Sequence, residues 1–420
     1  MWEDEFYESG ESIAKRIAET IALVAPEKVS AIAIEARSKM KLRQVPLLIA
    51  REMARLPKHK GHVAALLPQI IQRADELTEF VSIYWKDGRQ KLSAQVKKGL
   101  AAAFPRFDEY NLAKYNRDGA VKLRDVLFLC HAKPKDDAQA AIWKRLVDGK
   151  LETPDTWEVA LSGGANKKEA FERLMAEKKL FALAFLRNLR NMHDAGIAKS
   201  IVADYAGTID LARVLPFRFI AAARAVPQWE DVIEPMLLRA CETQQKLPGK
   251  TVLVVDVSGS MYSGGNVSKR SDMTRVDVAA ALAAICREIC EEPAIYATAG
   301  NDSSRIHATA AVPPRRGFAL ADMFTGKGFA RTLGGGGIFL VQCLDFIKQK
   351  EKTADRIIIL TDEQDCDHKL NPASADAFGT RNYLVNIASN RNGVGYGKFT
   401  HIDGWSEAVI DYIRAYESNQ

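Results

Sequence analysis

The sequence predicts two architectures in series. A helical-repeat domain over residues 1–246 is followed by an α/β domain with a doubly wound parallel sheet over residues 250–420. Three observations predict this. Apolar residues recur at helical spacing through residues 11–244, with no strong β alternation. At LPGK, residues 247–250, the texture changes to apolar strand-like runs alternating with helices. Two of those runs, TVLVVD and RIIILTD, end in an aspartate. A chain of 420 residues also exceeds one ordinary core.

In the first half, Ile13, Ile17, Ile21 and Val24 share one helix face. Leu92, Val96, Leu100 and Phe104 share another, with Lys97 and Lys98 opposite. Pro46, Pro57, Pro68, Pro105 and Pro134 punctuate the helices. Many short helices without a heptad suggest an α-solenoid of stacked helix pairs. In the second half the order is TVLVVD, DVAAALAAICREIC, AIYATA, IFLVQCLDFIK, RIIILTD, NYLVNIA and SEAVIDYIRAY. Right-handed βαβ units of this kind gather ligands at the carboxyl ends of their strands. Asp256 and Asp362 should therefore face one crevice.

Composition excludes several classes. No apolar run approaches the roughly 18 residues that would cross a bilayer, and the acidic start MWEDEFYESGES is unlike a signal peptide. The six cysteines, at 130, 241, 286, 290, 343 and 366, form no CxxC pair. That suits reduced thiols in a cytoplasmic protein better than a disulfide frame or a zinc site. Net charge is +6, but residues 37–150 hold 24 basic against 12 acidic residues. A concentrated excess of this kind is either a polyanion-binding surface or a set of solvated helix faces.

Asp256, Ser258 and Ser260 form D-x-S-x-S directly after the first strand. Alternate residues of an extended segment project to one side, so three oxygen groups converge. Hard cations such as Mg²⁺ take oxygen ligands in octahedral array, and Asp362 can approach the same point. Here the sequence resembles the von Willebrand factor type A domain, whose metal site is D-x-S-x-S plus a loop threonine and a later aspartate. The resemblance implies a divalent ion at Asp256, Ser258, Ser260 and Asp362. In TLGGGGIFLVQCL the threonine's place falls to Gly337, which lacks a ligand, and Thr332 has the wrong offset.

Other chemistries fit less well. A serine-hydrolase elbow needs G-x-S-x-G. The GGGG run lacks dinucleotide spacing, and no P-loop occurs. EQDCDH, 363–368, reads as a polar loop at the sheet's mouth in preference to a second metal site. His59, His62, His193, His307 and His401 lack ligand partners at convincing spacing and read as surface or structural residues.

KMKLRQVPLLIAREMAR (39–55), YWKDGRQKLSAQVKKGLAAAF (84–104), KYNRDGAVKLRDVLFLCHAKPK (114–135) and LFALAFLRNLRNMHDAGI (180–197) together resemble the TROVE module of the Ro autoantigen family. With the A-like domain behind it, the architecture resembles Ro proteins across nearly the whole chain. The resemblance implies a non-enzymatic, monomeric ribonucleoprotein component, its HEAT-like helices closed into a ring within one chain. It implies binding of small noncoding Y RNAs and of the single-stranded 3′ ends of misfolded RNAs, and, in bacteria, an exoribonuclease tethered through Y RNA. The longer leader of Ro proteins is expected to be absent or replaced here, so no role in closing the ring is carried over.

Within the basic segment, Lys114, Tyr115, Arg117, Lys122, Arg124, His131 and Lys133 are the first candidates for RNA contact. The cations would neutralise phosphates and Tyr115 would stack on an unpaired base. His131 sits where the family places a histidine implicated in Y RNA binding. Its bland alternative is a helix C-cap. Lys86, Arg89, Lys91, Lys97 and Lys98 form a second cluster. The alternative from another class is a metal-dependent protein-interaction scaffold.

Overall fold

The computed structural model describes residues 10–164, 166–211, 214, 216–263, 265–267, 273–325, 328–333, 335–367, 381–388, 399–404 and 408–418. The chain divides into two compact units, essentially residues 10–163 and 164–420.

The first unit is helical throughout its regular structure. Its helices are α1 (Gly10–Leu23), α2 (Pro26–Ser38), α3 (Gln44–Arg55), α4 (Val63–Ile70) and α5 (Ala74–Tyr84). They continue with α6 (Ala94–Ala103), α7 (Glu109–Tyr115), α8 (Leu123–Cys130), α9 (Asp137–Asp148) and α10 (Trp157–Ser162). Short polar residues start several of them. Ser93, Asp108, Asp136 and Thr156 each accept a backbone N–H of the first turn, occupying donors that would otherwise be orphaned. The apolar stripes meet in one core that includes Leu47, Leu67, Leu77, Phe80, Leu100, Phe104 and Leu127. Inside it a buried ion pair, extended by a half-buried arginine, replaces apolar packing. Arg37 reaches Glu76 Oε1 at 2.7 Å and the Ile70 carbonyl at 3.1 Å. Arg43 bridges Asp75, Glu76 and Glu79. Arginine suits such positions because its fork satisfies several acceptors at once.

The second unit opens with α11 (Lys167–Ala176), α12 (Ala182–Asp194), α13 (Lys199–Thr208), α14 (Phe217–Ala225) and α15 (Glu230–Glu242). The sheet domain follows with β1 (Leu247–Asp256), α16 (Gly259–Ser263), α17 (Arg275–Ile289), β2 (Cys290–Asn301) and β3 (Ile306–Ala311). Next come α18 (Gly317–Phe324), α19 (Phe329–Leu333), α20 (Leu340–Lys350), β4 (Arg356–Thr361), β5 (Asn382–Asn386), β6 (Thr400–Asp403) and α21 (Val409–Ser418).

The strand order is β3-β2-β1-β4-β5-β6. β1, β2, β4, β5 and β6 run parallel, while β3 lies antiparallel on β2 at one edge. The expected doubly wound sheet is present, with this hairpin edge as an addition. Strand order reverses between β1 and β4, so the crevice of the fold opens above their carboxyl ends, where Asp256 and Asp362 stand. One sheet face packs Val252, Val254, Ile357 and Ile359 against Leu340, Cys343, Leu344 and Ile347 of α20. α17 is buried nearly all round. It touches β1 and β2, and it also touches α14, α15 and α18. Secondary structure changes at Leu247, but residues 164–246 belong to the same compact unit as the sheet.

Candidate nucleic-acid surface and strand-end crevice

In the first unit the structure sorts cations by partner. Arg37, Arg43, Arg51, Arg55 and Arg145 are held by carboxylates of their own unit and are structural. Of the residues singled out in the sequence, Lys122 is also engaged, with Nζ 2.7 Å from Asp118 and its backbone N–H bonded to Asp125. Arg124 is exposed, 4.0 Å from Asp125. Arg117, Lys133, Lys86 and Lys98 are exposed, and Lys97 and Lys114 are half-buried. None of these six has an ion-pair partner among the described residues.

Lys114 and Tyr115, at the end of α7, form an aromatic–cation cluster. The Lys114 ammonium lies 5.5 Å from the Tyr110 ring and 5.9 Å from the Tyr115 ring. Arg73 covers Tyr115 at 4.6 Å. His131 is the C-cap of α8 in the left-handed region, at φ 55° and ψ 41°, and its ring is exposed. The bland alternative thus holds for its backbone, while its side chain is exposed, as is Phe128 three residues earlier at 59%.

The second basic cluster surrounds a cavity of about 330 Å³ lined by Trp85, Arg89, Gln90, Lys91, Leu92, Lys97 and Leu129. Trp85 donates its indole N–H to the Gln90 carbonyl at 2.7 Å, which fixes the ring, and Arg89 stacks on it at 4.9 Å. Lys86 and Lys98 lie outside this lining. Trp85 was not singled out from the sequence. The signal was an aromatic residue directly before KDGRQK.

In the second unit, β1 and β4 deliver the crevice residues as expected. Asp256 Oδ1 accepts the Ser258 N–H at 2.8 Å and Oδ2 accepts the Thr361 hydroxyl at 2.6 Å. The Ser258 and Ser260 hydroxyls lie 3.2 Å apart, and Ser260 donates to Asp362 Oδ1 at 3.1 Å. Arg275, at the first position of α17, places Nη1 2.5 Å from Asp362 Oδ2. Sequence reasoning missed Thr361 and Arg275. Burial, and then the neighbouring Asp362 charge, push the Asp256 carboxyl up to about 7.

The glycine-rich turn comes close, with the Gly259 N–H on the Gly336 carbonyl at 3.0 Å. A Cβ at Gly337 would collide with the Cys366 sulfur, so no larger residue fits there without rearrangement. Thr332 is exposed, with its hydroxyl on the Phe329 carbonyl. The EQDCDH segment behaves as a structural loop up to residue 367. Asp365 caps the Leu340 N–H at 3.1 Å and the Cys366 N–H bonds the Ile338 carbonyl at 2.8 Å. His368 lies outside the described residues. Glu363, buried with φ 63°, pairs with His401, which also faces Asp403 at 3.6 Å. His59 and His307 bond the Val24 carbonyl and the Thr309 hydroxyl. All six cysteines are free thiols.

The four oxygen residues converge, yet they fit a divalent ion poorly. Each oxygen of Asp256 and Asp362 already accepts a protein donor, a guanidinium balances the charge, and the loop ligand is a glycine that its neighbour keeps small.

Comparisons with known proteins agree with this architecture. Residues 134–311 match the TROVE domain model. Of the segments that carried the resemblance, 180–197 falls inside that span. Telomerase protein component 1 of Mus musculus is 23% identical over 304 residues, covering 51% of this chain and 12% of that protein. The chain thus spans a small part of that relative's length. The crystal structure of the Deinococcus radiodurans Ro (RSR) protein superposes with a TM-score of 0.67 at 17% identity, over 96% of this chain and 93% of that one. The shared fold is a helical repeat region followed by a von Willebrand A-like domain. The chain therefore carries a TROVE-domain match over residues 134–311 and shares its fold, along nearly its whole length, with a solved Ro (RSR) protein.

Proposed function

We propose that this chain is an RNA-binding protein of the Ro type, and that the basic face of its first unit is the binding surface. The observation that carries this is the separation of cations: arginines locked to internal carboxylates, against Lys86, Lys97, Lys98, Lys114, Arg117 and Lys133 left without carboxylate partners among the described residues. Cations left unneutralised at a surface repel each other unless a polyanion compensates them. The aromatic rings of Tyr110, Tyr115 and Trp85 are interleaved with them. Rings beside unpaired cations suit unstacked bases of single strands more than a regular duplex.

The RNA ligands named by this reading are small noncoding, Y-like RNA and the 3′ ends of misfolded RNA, with an exoribonuclease as a partner recruited through RNA. No enzymatic step is assigned. The crevice hydroxyls of Ser258 and Ser260 are hydrogen-bonded toward a carboxylate that is itself paired with Arg275, so that carboxylate is not a free base for either serine.

Binding of a stem with a single-stranded 3′ tail, compared with the blunt stem across a salt series, tests the proposal. Preference for the tailed RNA and a steep salt slope support it. Equal affinities or a flat slope overturn it. If replacing Lys97, Lys114 and Lys133 together left RNA affinity unchanged while Asp256→Ala removed a protein contact, the scaffold alternative would stand instead.

A further inference from the structure

Arg275 is an unusual residue for its position. It opens α17, where the helix dipole disfavours a cation. It is also 2% exposed, and a buried guanidinium is costly unless paired and hydrogen-bonded. Nothing in helix formation calls for it. Its pairing with Asp362 does, because Asp362 is fully buried and stands in the same crevice as fully buried Asp256. Two buried carboxylates facing one point need positive charge, and a guanidinium supplies it here.

The hydroxyls complete the arrangement. The Ser258 and Ser260 hydroxyls are in contact, and Ser260 donates to Asp362, so a hydrogen-bonded chain runs toward the carboxylate that Arg275 holds. Asp256 is separately satisfied by the Ser258 N–H and by Thr361. At Gly337 there is neither a side-chain ligand nor room for one against Cys366. A divalent ion entering the crevice would have to compete with Arg275 for Asp362 and would sit beside its positive charge.

We propose that Arg275 is the resident cation of this A-like domain, taking the charge-balancing place of a divalent metal and making the crevice a metal-independent structural node. The motif D-x-S-x-S persists as a hydrogen-bonding framework that ties β1, β4 and the start of α17 together.

The test uses the full chain, with Mn²⁺ binding followed by electron paramagnetic resonance and thermal unfolding followed in chelator or in millimolar Mg²⁺. The wild type should show no saturable Mn²⁺ binding and the same Tm in both conditions. Arg275→Ala should bind Mn²⁺ at least about tenfold more tightly than the wild type and gain Tm from it, and adding Asp362→Asn should abolish that gain. Arg275→Lys, which keeps the charge, should stay indifferent to metal. Saturable Mn²⁺ binding by the wild type that Asp362→Asn removes would overturn the proposal. So would a folded Arg275→Ala chain that neither loses stability nor gains Mn²⁺. Should Arg275→Ala not fold, the wild-type titration and the Lys variant decide.

Discussion

The Arg89 guanidinium lies 4.9 Å from the centroid of the Trp85 ring, four residues earlier in the chain. Because the indole N–H is tied to the Gln90 carbonyl, the ring is fixed and the arginine is the movable partner. On the proposed RNA-binding reading, an incoming base would take the arginine's place on the ring, with Lys91 and Lys97 of the same cavity lining toward its phosphates. Trp85→Ala should therefore weaken single-stranded RNA binding by about 1–3 kcal/mol, the worth of one stacked base. Blunt-duplex binding should change little. Filter binding with both RNAs checks this, and equal losses on both would contradict it.

Phosphate contacts should follow the sorting of cations. Lys97→Ala or Lys133→Ala should each lower the salt slope of binding by about 0.7 to 0.9. Lys122→Ala should lower it less, since Lys122 is held by Asp118. Affinity measured across a potassium chloride series separates the two classes.

His131 can be tested for its two roles separately. Its left-handed backbone disfavours residues with a Cβ, and Gly and Asn adopt that conformation most readily. His131→Gly should therefore raise stability by about 0.5–1 kcal/mol, and His131→Asn should at least match the wild type. If both also lose RNA affinity, the imidazole contacts RNA. Retained affinity would leave His131 as a cap alone.

Gly99→Ala should destabilise, although alanine is normally the better helix former by about 1 kcal/mol. A Cβ at this position would sit 2.8 Å from Leu67 Cδ1 and 2.9 Å from Leu67 Cβ, where α4 and α6 meet. Overpacking of this sort costs about 1–3 kcal/mol. Urea unfolding of the variant reads the sign directly.

Acid should loosen the second unit at Asp277. Burial pushes this carboxyl up, but hydrogen bonds from Arg224 and Thr274 outweigh it and hold the group below the ordinary aspartate range. A depressed folded-state value contributes stability above the unfolded pKa, and that contribution is lost as pH falls through the folded value. Asp277→Asn should therefore flatten the stability profile between neutral pH and strongly acidic pH. Tm measured along that range in wild type and variant checks it.

Much of the second unit was legible in the sequence because a parallel strand writes its burial as a continuous apolar run. TVLVVD and RIIILTD gave both crevice aspartates and their common edge. Arg275 was not legible, because it reaches the crevice from the far side of a connection after Ser260 and joins it through tertiary packing. Strands β3 and β6 border the sheet and are only partly buried, so their apolar patterns are weak. The candidate basic residues were found by charge alone. Which of them are already neutralised depends on partners, and only the i,i+4 pair of Lys122 with Asp118 could have been read in advance.

The all-round burial of α17 bears on how this chain can be divided. Helices α14, α15 and α18 share the covering of its outer side, while the sheet covers the inner side. Cutting the chain where the strands begin, near Leu247, would strip away α14 and α15 and wet the aliphatic flank of a helix made largely of alanine, valine and isoleucine. A separable fragment should instead start near residue 164, carrying five helices that the pattern of secondary structure assigns to the other half.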